Sequence, residues 1–170
     1  MTERDRTWLE GAWHDHAGSV RAYLQRRAAP ADVDDLLSEV FIVAWRHRDR
    51  KPRMMLPWLY GIGRRVLSTH HRSRERIENL DHRLLREPRQ PRDGFQRSDE
   101  RSELGTALGA LSSDDRELLM LVAWEGLQPR EIAAAEGVTS AVIRMRLSRA
   151  RKRFAVAFEA ARQREGARNE

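Results

Sequence analysis

Apolar residues recur along this chain at steps of three and four, and no segment alternates with period two. Leu9, Trp13, Ala17, Val20 and Leu24 form one such stripe and predict a helix over about residues 5–28, ended by Pro30. Leu36, Leu37, Val40, Phe41 and Ala44 predict a second helix, capped by Asp32 or Asp34 and running to about Arg48. A loop between Arg46 and Leu56 holds Pro52. Pro57 then sits where the first turn of a helix tolerates proline, and Leu59, Ile62 and Val66, with Thr69 or His70, supply the inner side of a third helix. Residues 78–103 contain Pro88, Pro91 and Gly94, few large apolar side chains and charges that nearly cancel. That composition buries too little surface to offset its ordering entropy and predicts a flexible linker. Helices resume over about 102–110, Ser113–Glu125 closed by Gly126, about Gln128–Glu136, and Thr139 past Phe158. The expected architecture is all-α, with two small helical domains, residues 1–77 and 104–170, joined by the linker.

Cysteine is absent from the 170 residues, which excludes disulfides, thiolate metal sites and cysteine nucleophiles. No run approaches the ~20 apolar residues of a membrane span, and no charged-then-apolar leader follows Met1, so a cytoplasmic protein without membrane insertion is expected. The formal charge is +6. Of the 32 basic residues only Lys51 and Lys152 are lysine, which leaves 30 arginines. Arginine forks suit phosphates and guanine edges, but an arginine excess also follows from genomic base composition, so the positions of the charges decide.

Those positions are uneven. Residues 31–45 carry Asp32, Asp34, Asp35 and Glu39 and no base. Residues 46–53 carry Arg46, Arg48, Arg50, Lys51 and Arg53 against Asp49 alone. Residues 64–76 carry five arginines and two histidines against Glu75. Residues 140–153 carry Arg144, Arg146, Arg149, Arg151, Lys152 and Arg153 with no acid. Blocks of this kind predict separate surfaces for separate partners.

The sharpest motif is PREIAAAEGVTSAVIRMRLSRARKRF, residues 129–154. In a helix-turn-helix a small residue on the first helix admits the second, glycine in the turn accepts positive φ, and a branched residue fills the gap. Ala133, Gly137 and Ile143 fall at the required steps, and Ile132, Leu147, Ala150 and Phe154 continue the inner stripe. The opposite side offers Ser140, Ala141, Arg144, Met145, Ser148, Arg149 and Lys152. An ordinary helical hairpin with a solvated basic face fits the glycine punctuation equally well. Six bases without one acid favour DNA. The N-terminal half of this helix is then the part that reads base edges in the major groove, and Arg151, Lys152 and Arg153 hold phosphates.

The first domain adds what a simple repressor lacks. DVDDLLSEVFIVAW presents Asp32, Asp35 and Glu39 on one helix beside exposed apolar positions, which suits docking to a basic protein groove. Acids in a first turn also favour the helix dipole, so part of this stripe is capping. LPWLYGIGRRVLSTHHRSRER couples Trp58 and Tyr60 to Arg64, Arg65, His70, His71, Arg72 and Arg74. Aromatics interleaved with bases suit unstacked single-stranded bases, although each ring alone is as readily core.

DVDDLLSEVFIVAW, then PWLYGIGRRVL with a basic tail, then a linker, then LGALSSDDRELLMLVAWEGLQPREIAAAEGVTSAVIRMRLSRARKRF resembles the extracytoplasmic-function (ECF) sigma factors of bacterial RNA polymerase. The resemblance covers roughly residues 8–77 and 104–160. It implies a three-helix sigma region 2 and a helix-turn-helix sigma region 4. It implies that Asp32, Asp35 and Glu39, with Leu36 and Val40, dock on the clamp helices of the largest subunit of core RNA polymerase. The loop at 46–56 and the following helix, with Arg53, Trp58, Tyr60, Arg64, Arg65, His71 and Arg72, would take the non-template strand of the minus-ten element and hold an everted base. Ser140, Ala141, Arg144, Met145, Ser148, Arg149, Arg151 and Lys152 would bind the minus-thirty-five element of promoter DNA as duplex. An anti-sigma factor is implied as a further partner. Three features depart from the family's habit: Ile62-Gly63-Arg64-Arg65 stands where I-A-R-N is usual, Thr69 or a neighbour replaces an aspartate common a few residues later, and Val142 and Met145 stand where small hydroxyl residues are common.

Catalytic chemistry finds no support. Gly61-x-Gly63 lies inside a helical pattern without a preceding strand or third glycine, so it is no nucleotide loop. His14 and His16 point to different helix sides and His70 and His71 are adjacent, so neither pair has metal-ligand spacing. The expectation is a non-enzyme with no cofactor and no metal. The competing readings are a free-standing dimeric helix-turn-helix regulator and a metal-dependent nuclease built on the acidic helix.

Overall fold

The three- and four-residue stripes become helices. A computed structural model describes residues 3–50, 52–85 and 103–166. Among them every regular element is helical: α1 (Glu3–Gln25), α2 (Val33–Arg46), α3 (Met55–Leu85), α4 (Glu103–Gly109), α5 (Ser113–Ala123), α6 (Pro129–Glu136) and α7 (Ser140–Gly166). Short 3-10 turns at Pro30–Asp32 and Arg48–Arg50 flank α2. The chain divides into two units, Met1–Gly94 and Phe95–Glu170, each with its own core.

In the first unit α1, α2 and α3 pack against one another. Val20, Leu24, Leu37, Val40, Leu59 and Ile62 are buried between them, and each such side chain stabilises by roughly 1.5–3 kcal/mol relative to exposure. Tyr23 completes the centre, its ring stacked on Tyr60 at 4.9 Å and the Arg27 guanidinium lying 3.8 Å from the centroid of the Tyr23 ring. Gly63 makes room for this stack, since a Cβ there would stand 3.0 Å from Tyr23 Cε1. Pro57 lies in the first turn of α3, where its missing N–H has no helical partner to lose.

The expected stripe and limits need correction at four points. Trp13 is half exposed, edge-on to Phe41 at 4.8 Å, because it lies at the margin of the α1–α2 contact. Asp32 precedes α2 but makes no side-chain cap bond, its carboxylate being held by α3. Thr69 faces solvent and His70 is part-buried. The third helix does not end near residue 77. Residues 78–85 hold neither proline nor glycine, so a propagating helix gains a hydrogen bond per residue through to Leu85. The remainder of the expected linker, 86–102, lies outside the described residues.

In the second unit α4, α5 and α6 each pack on α7. Ser112 caps α5, its Oγ accepting from the Asp115 N–H at 3.2 Å. A capping box starts α6, where Glu131 accepts from the Gln128 N–H at 2.7 Å. Arg116 is buried and donates to the carbonyls of Leu108, Gly109 and Leu111, satisfying the end of α4. The side chain thus works as an internal cap and not as a surface charge.

Candidate functional site

The hairpin of α6 and α7 is built as a helix-turn-helix. Gly137 adopts φ 72°, and its N–H and that of Val138 both donate to the Ala133 carbonyl, closing α6 and turning the chain. Ala133 and Ile132 are buried against Ile143, Leu147 and Ala150, which fixes one side of α7 inward. Two of the six bases in residues 140–153 then turn back on the unit: Arg146 pairs with Glu136 at 2.7 Å and Arg153 with Asp115 at 2.5 Å. Both pairs flank the buried stripe that fixes the rotation of α7. Arg144, Arg149, Arg151 and Lys152 remain exposed and make no ion pair with an acid among the described residues. Arg144 donates to Ser140 Oγ at 3.2 Å. Ala141, Met145, Ser148, Arg149 and Lys152 follow at steps of three and four, and Met145 is 48% exposed. The resulting face is basic with an apolar centre of Ala141, Val142 and Met145. Phe154, expected in the inner stripe, is only part-buried and stacks on Phe158.

In the first unit α2 turns Leu36 and Val40 into the core, so these two lie beneath its acidic outer face and not on it. The outward face holds Asp35, Glu39 and Ile42, the last 49% exposed. Ile42 was not singled out from the sequence. Its signal was there: a large apolar residue seven positions after Asp35, opposite the buried stripe. Asp34, beside this face, pairs with Arg21 of α1 at 2.5 Å.

The residues expected to meet single-stranded DNA divide. Arg53, Arg65 and Arg72 are exposed, and Arg64 and His71 are part-exposed. Trp58 is part-buried, edge-on to Trp8 at 6.5 Å. Tyr60 is 4% exposed on Tyr23, so its ring is core, as the plainer reading of a lone aromatic had it. In the preceding loop Arg48 is held by Asp5 at 3.3 Å and lies over Trp45 at 4.3 Å. The described residues contain no group of three or more His, Cys, Asp or Glu able to hold a metal ion. Among them no helix is long and apolar enough to cross a membrane.

Two family models match in chain order: sigma-70 region 2 over residues 12–77, and sigma-70 region 4 over residues 101–154. The ECF RNA polymerase sigma factor EcfG of Rhodopseudomonas palustris is 33% identical over 141 residues, covering 80% of this chain and 77% of that protein. The chain belongs to the ECF sigma factor family. The ECF sigma factor SigF of Caulobacter vibrioides is 29% identical over 143 residues, covering 80% of this chain and 77% of its own length. A probable sigma factor of Xanthomonas campestris, RfaY, is 31% identical over 131 residues, and the chain spans only about a third of that protein's length, 32%. Among solved structures, CnrH in complex with the cytosolic domain of CnrY aligns with TM-score 0.60 at 22% identity, over 91% of this chain and 90% of that one. The sigma factor RpoE with the anti-sigma factor NepR from Bartonella quintana aligns with TM-score 0.60 at 22% identity, over 93% and 98%. These two share the fold. ECF sigma factors are non-catalytic transcription initiation factors, and the helix-turn-helix motif at residues 129–154 falls within the region 4 match.

Proposed function

We propose that this ECF sigma factor binds core RNA polymerase and directs it to promoters by holding two parts of the DNA in different ways. The observation that carries the reading is the separation of two opposite surfaces in one chain: an acidic and apolar outer face on α2, and a basic outer face free of acids on α7. Asp35, Glu39 and Ile42 dock on the clamp helices of the largest polymerase subunit, with Leu36 and Val40 as their buried support. Arg144, Arg149 and the apolar centre at Val142 and Met145 read the minus-thirty-five duplex in the major groove, while Arg151 and Lys152 take phosphates.

Capture of the minus-ten non-template strand falls to α3 and the loop before it. With Tyr60 in the core, Trp58 is the aromatic candidate for stacking, and Arg53, Arg64, Arg65, His71 and Arg72 supply the positive charge. Melting then draws on the binding energy of an unstacked base and needs no chemistry from this chain. Its place of work is the bacterial cytoplasm, where the polymerase and promoter are. The related folds CnrH and RpoE are each held by a partner in their complexes, CnrY and the anti-sigma factor NepR, which supports an anti-sigma partner here as well.

The test is a pull-down of the purified chain with bacterial core RNA polymerase, followed by transcription from a genomic fragment library. Stoichiometric binding with discrete new start sites is expected. Failure to bind core polymerase, with tight binding of palindromic duplexes by the free chain, would instead make the protein a free-standing regulator.

A further inference from the structure

Asp32 opens the acidic run that the family resemblance assigns to polymerase, yet its carboxylate is engaged within the molecule. Oδ2 accepts from Arg74 Nη1 at 2.6 Å and lies 3.2 Å from His70 Nε2. Asp35 and Glu39, one and two turns further along α2, are exposed and make no ion pair among the described residues. The acidic run therefore divides: Asp32 is turned onto α3, Asp34 onto Arg21 of α1, and Asp35 and Glu39 outward.

The partners on α3 explain why. Its inner stripe of Leu59, Ile62 and Val66 continues in helical register to His70 and then Arg74, so the ion pair takes over where apolar packing against α2 ends. Residues two apart on a helix point about 200° from each other. With His70 and Arg74 held toward α2, Arg72 and Arg76 are thrown to the other side, in line with Arg65 and Thr69, and all four are exposed. The contact to Asp32 thus fixes which way this second row faces.

We infer that Asp32 is a positioning residue for DNA and not a contact for polymerase: it locks the rotation of α3 on α2 so that the Arg65–Arg72–Arg76 row meets the phosphates of the captured strand. Arg65, which stands where the family usually has asparagine, joins that row as a backbone grip. The inference rests on the sigma-factor reading above and goes beyond it by removing one acid from the docking surface and giving it to strand capture.

The experiment uses the full chain assembled with core polymerase. Core binding, and binding of a fluorescent single-stranded oligonucleotide spanning the minus-ten region of a promoter mapped with the wild-type holoenzyme, are measured for Asp32→Ala, Asp32→Asn, Arg74→Ala and the Asp32→Ala/Arg74→Ala double variant. Asp32→Ala should bind core polymerase as the wild type does, while oligonucleotide affinity falls about ten-fold and the double variant is no weaker than the weaker single one. The salt dependence of oligonucleotide binding should become shallower, because a misdirected row meets fewer phosphates. Asp32→Asn, which keeps the acceptor and loses the charge, should fall between. Circular dichroism separates these effects from unfolding, and if Asp32→Ala melts early, Asp32→Asn and Arg74→Ala carry the comparison. Loss of core binding in Asp32→Ala, unchanged oligonucleotide affinity, or additive effects in the double variant would each overturn the inference. A wild-type chain that ignores core polymerase would overturn the reading beneath it.

Discussion

Gly18 and Gly63 are both helical glycines, and their surroundings make the same substitution act in opposite directions. A methyl group at Gly18 meets nothing within 4 Å, so Gly18→Ala gains helix propensity and should raise stability by up to ~1 kcal/mol. At Gly63 the methyl would press on Tyr23, which is fully buried between Tyr60 and Arg27 and has no room to yield. Overpacking of that kind costs typically about 1–3 kcal/mol and outweighs the propensity gain, so Gly63→Ala should lower the melting temperature. Chemical denaturation of the two variants side by side checks both signs. The glycine pattern was visible in the sequence, but what it accommodates was not. Tyr23 and Gly63 are forty residues apart, and only packing brings them together.

At the scale of elements, α7 and α2 carry the functional assignments. Arg144→Ala and Arg149→Ala should each weaken binding of the holoenzyme to its minus-thirty-five element by ~1–3 kcal/mol if the residue contacts a base. Met145 and Val142 offer apolar contact of the kind that recognises a thymine methyl. Replacing thymine by deoxyuridine through the minus-thirty-five element should therefore cost affinity for the wild type, and Met145→Ala should remove most of that penalty. Gel-shift titrations at one fixed salt concentration measure all of these. For α2, Asp35→Lys together with Glu39→Lys should abolish polymerase binding in a pull-down while the helical circular-dichroism signal is kept, since neither side chain supports the core. Both helices were legible because their signals are local: a small residue, a glycine and a branched residue at fixed steps for α6 and α7, and an acidic stripe beside an apolar one for α2. The end of α3 was less so. Composition alone suggested a linker from residue 78, yet helix propagation carries α3 to Leu85.

For the whole molecule the net charge of +6 is the governing electrostatic fact, but it is not a uniform field. Among the described residues Arg146, Arg153 and Arg74 are matched with acids of the same unit, so fewer arginines face outward unpaired than the count of 30 suggests, while α7 and the outer row of α3 carry exposed bases. Promoter binding should accordingly be steeply salt-dependent. Replacing Arg151 and Lys152 by alanine should reduce the slope of log affinity against log salt by about 0.9 for each phosphate no longer neutralised, with little change in preference between promoter sequences. Fluorescence anisotropy of holoenzyme on two unrelated promoters across a salt series measures both quantities.

The order of helices, the helix-turn-helix and the acidic stripe follow from the sequence by itself, because helical period, caps and turn glycines act over a few residues. The sequence also carries the family's two regions in the right order, and the sigma-70 models match over both. Tertiary structure alone decided which members of each pattern face outward. Tyr60 looked like a base-stacking ring and is core, because Tyr23 and Gly63 reach it from two other stretches of chain. Asp32 reads as one member of an acidic stripe, yet its carboxylate meets His70 and Arg74 of α3, because the 3-10 turn at Pro30–Asp32 sets it beside that helix. Periodicity tells which side of a helix a residue occupies. What waits on that side depends on the packing of segments distant in the chain.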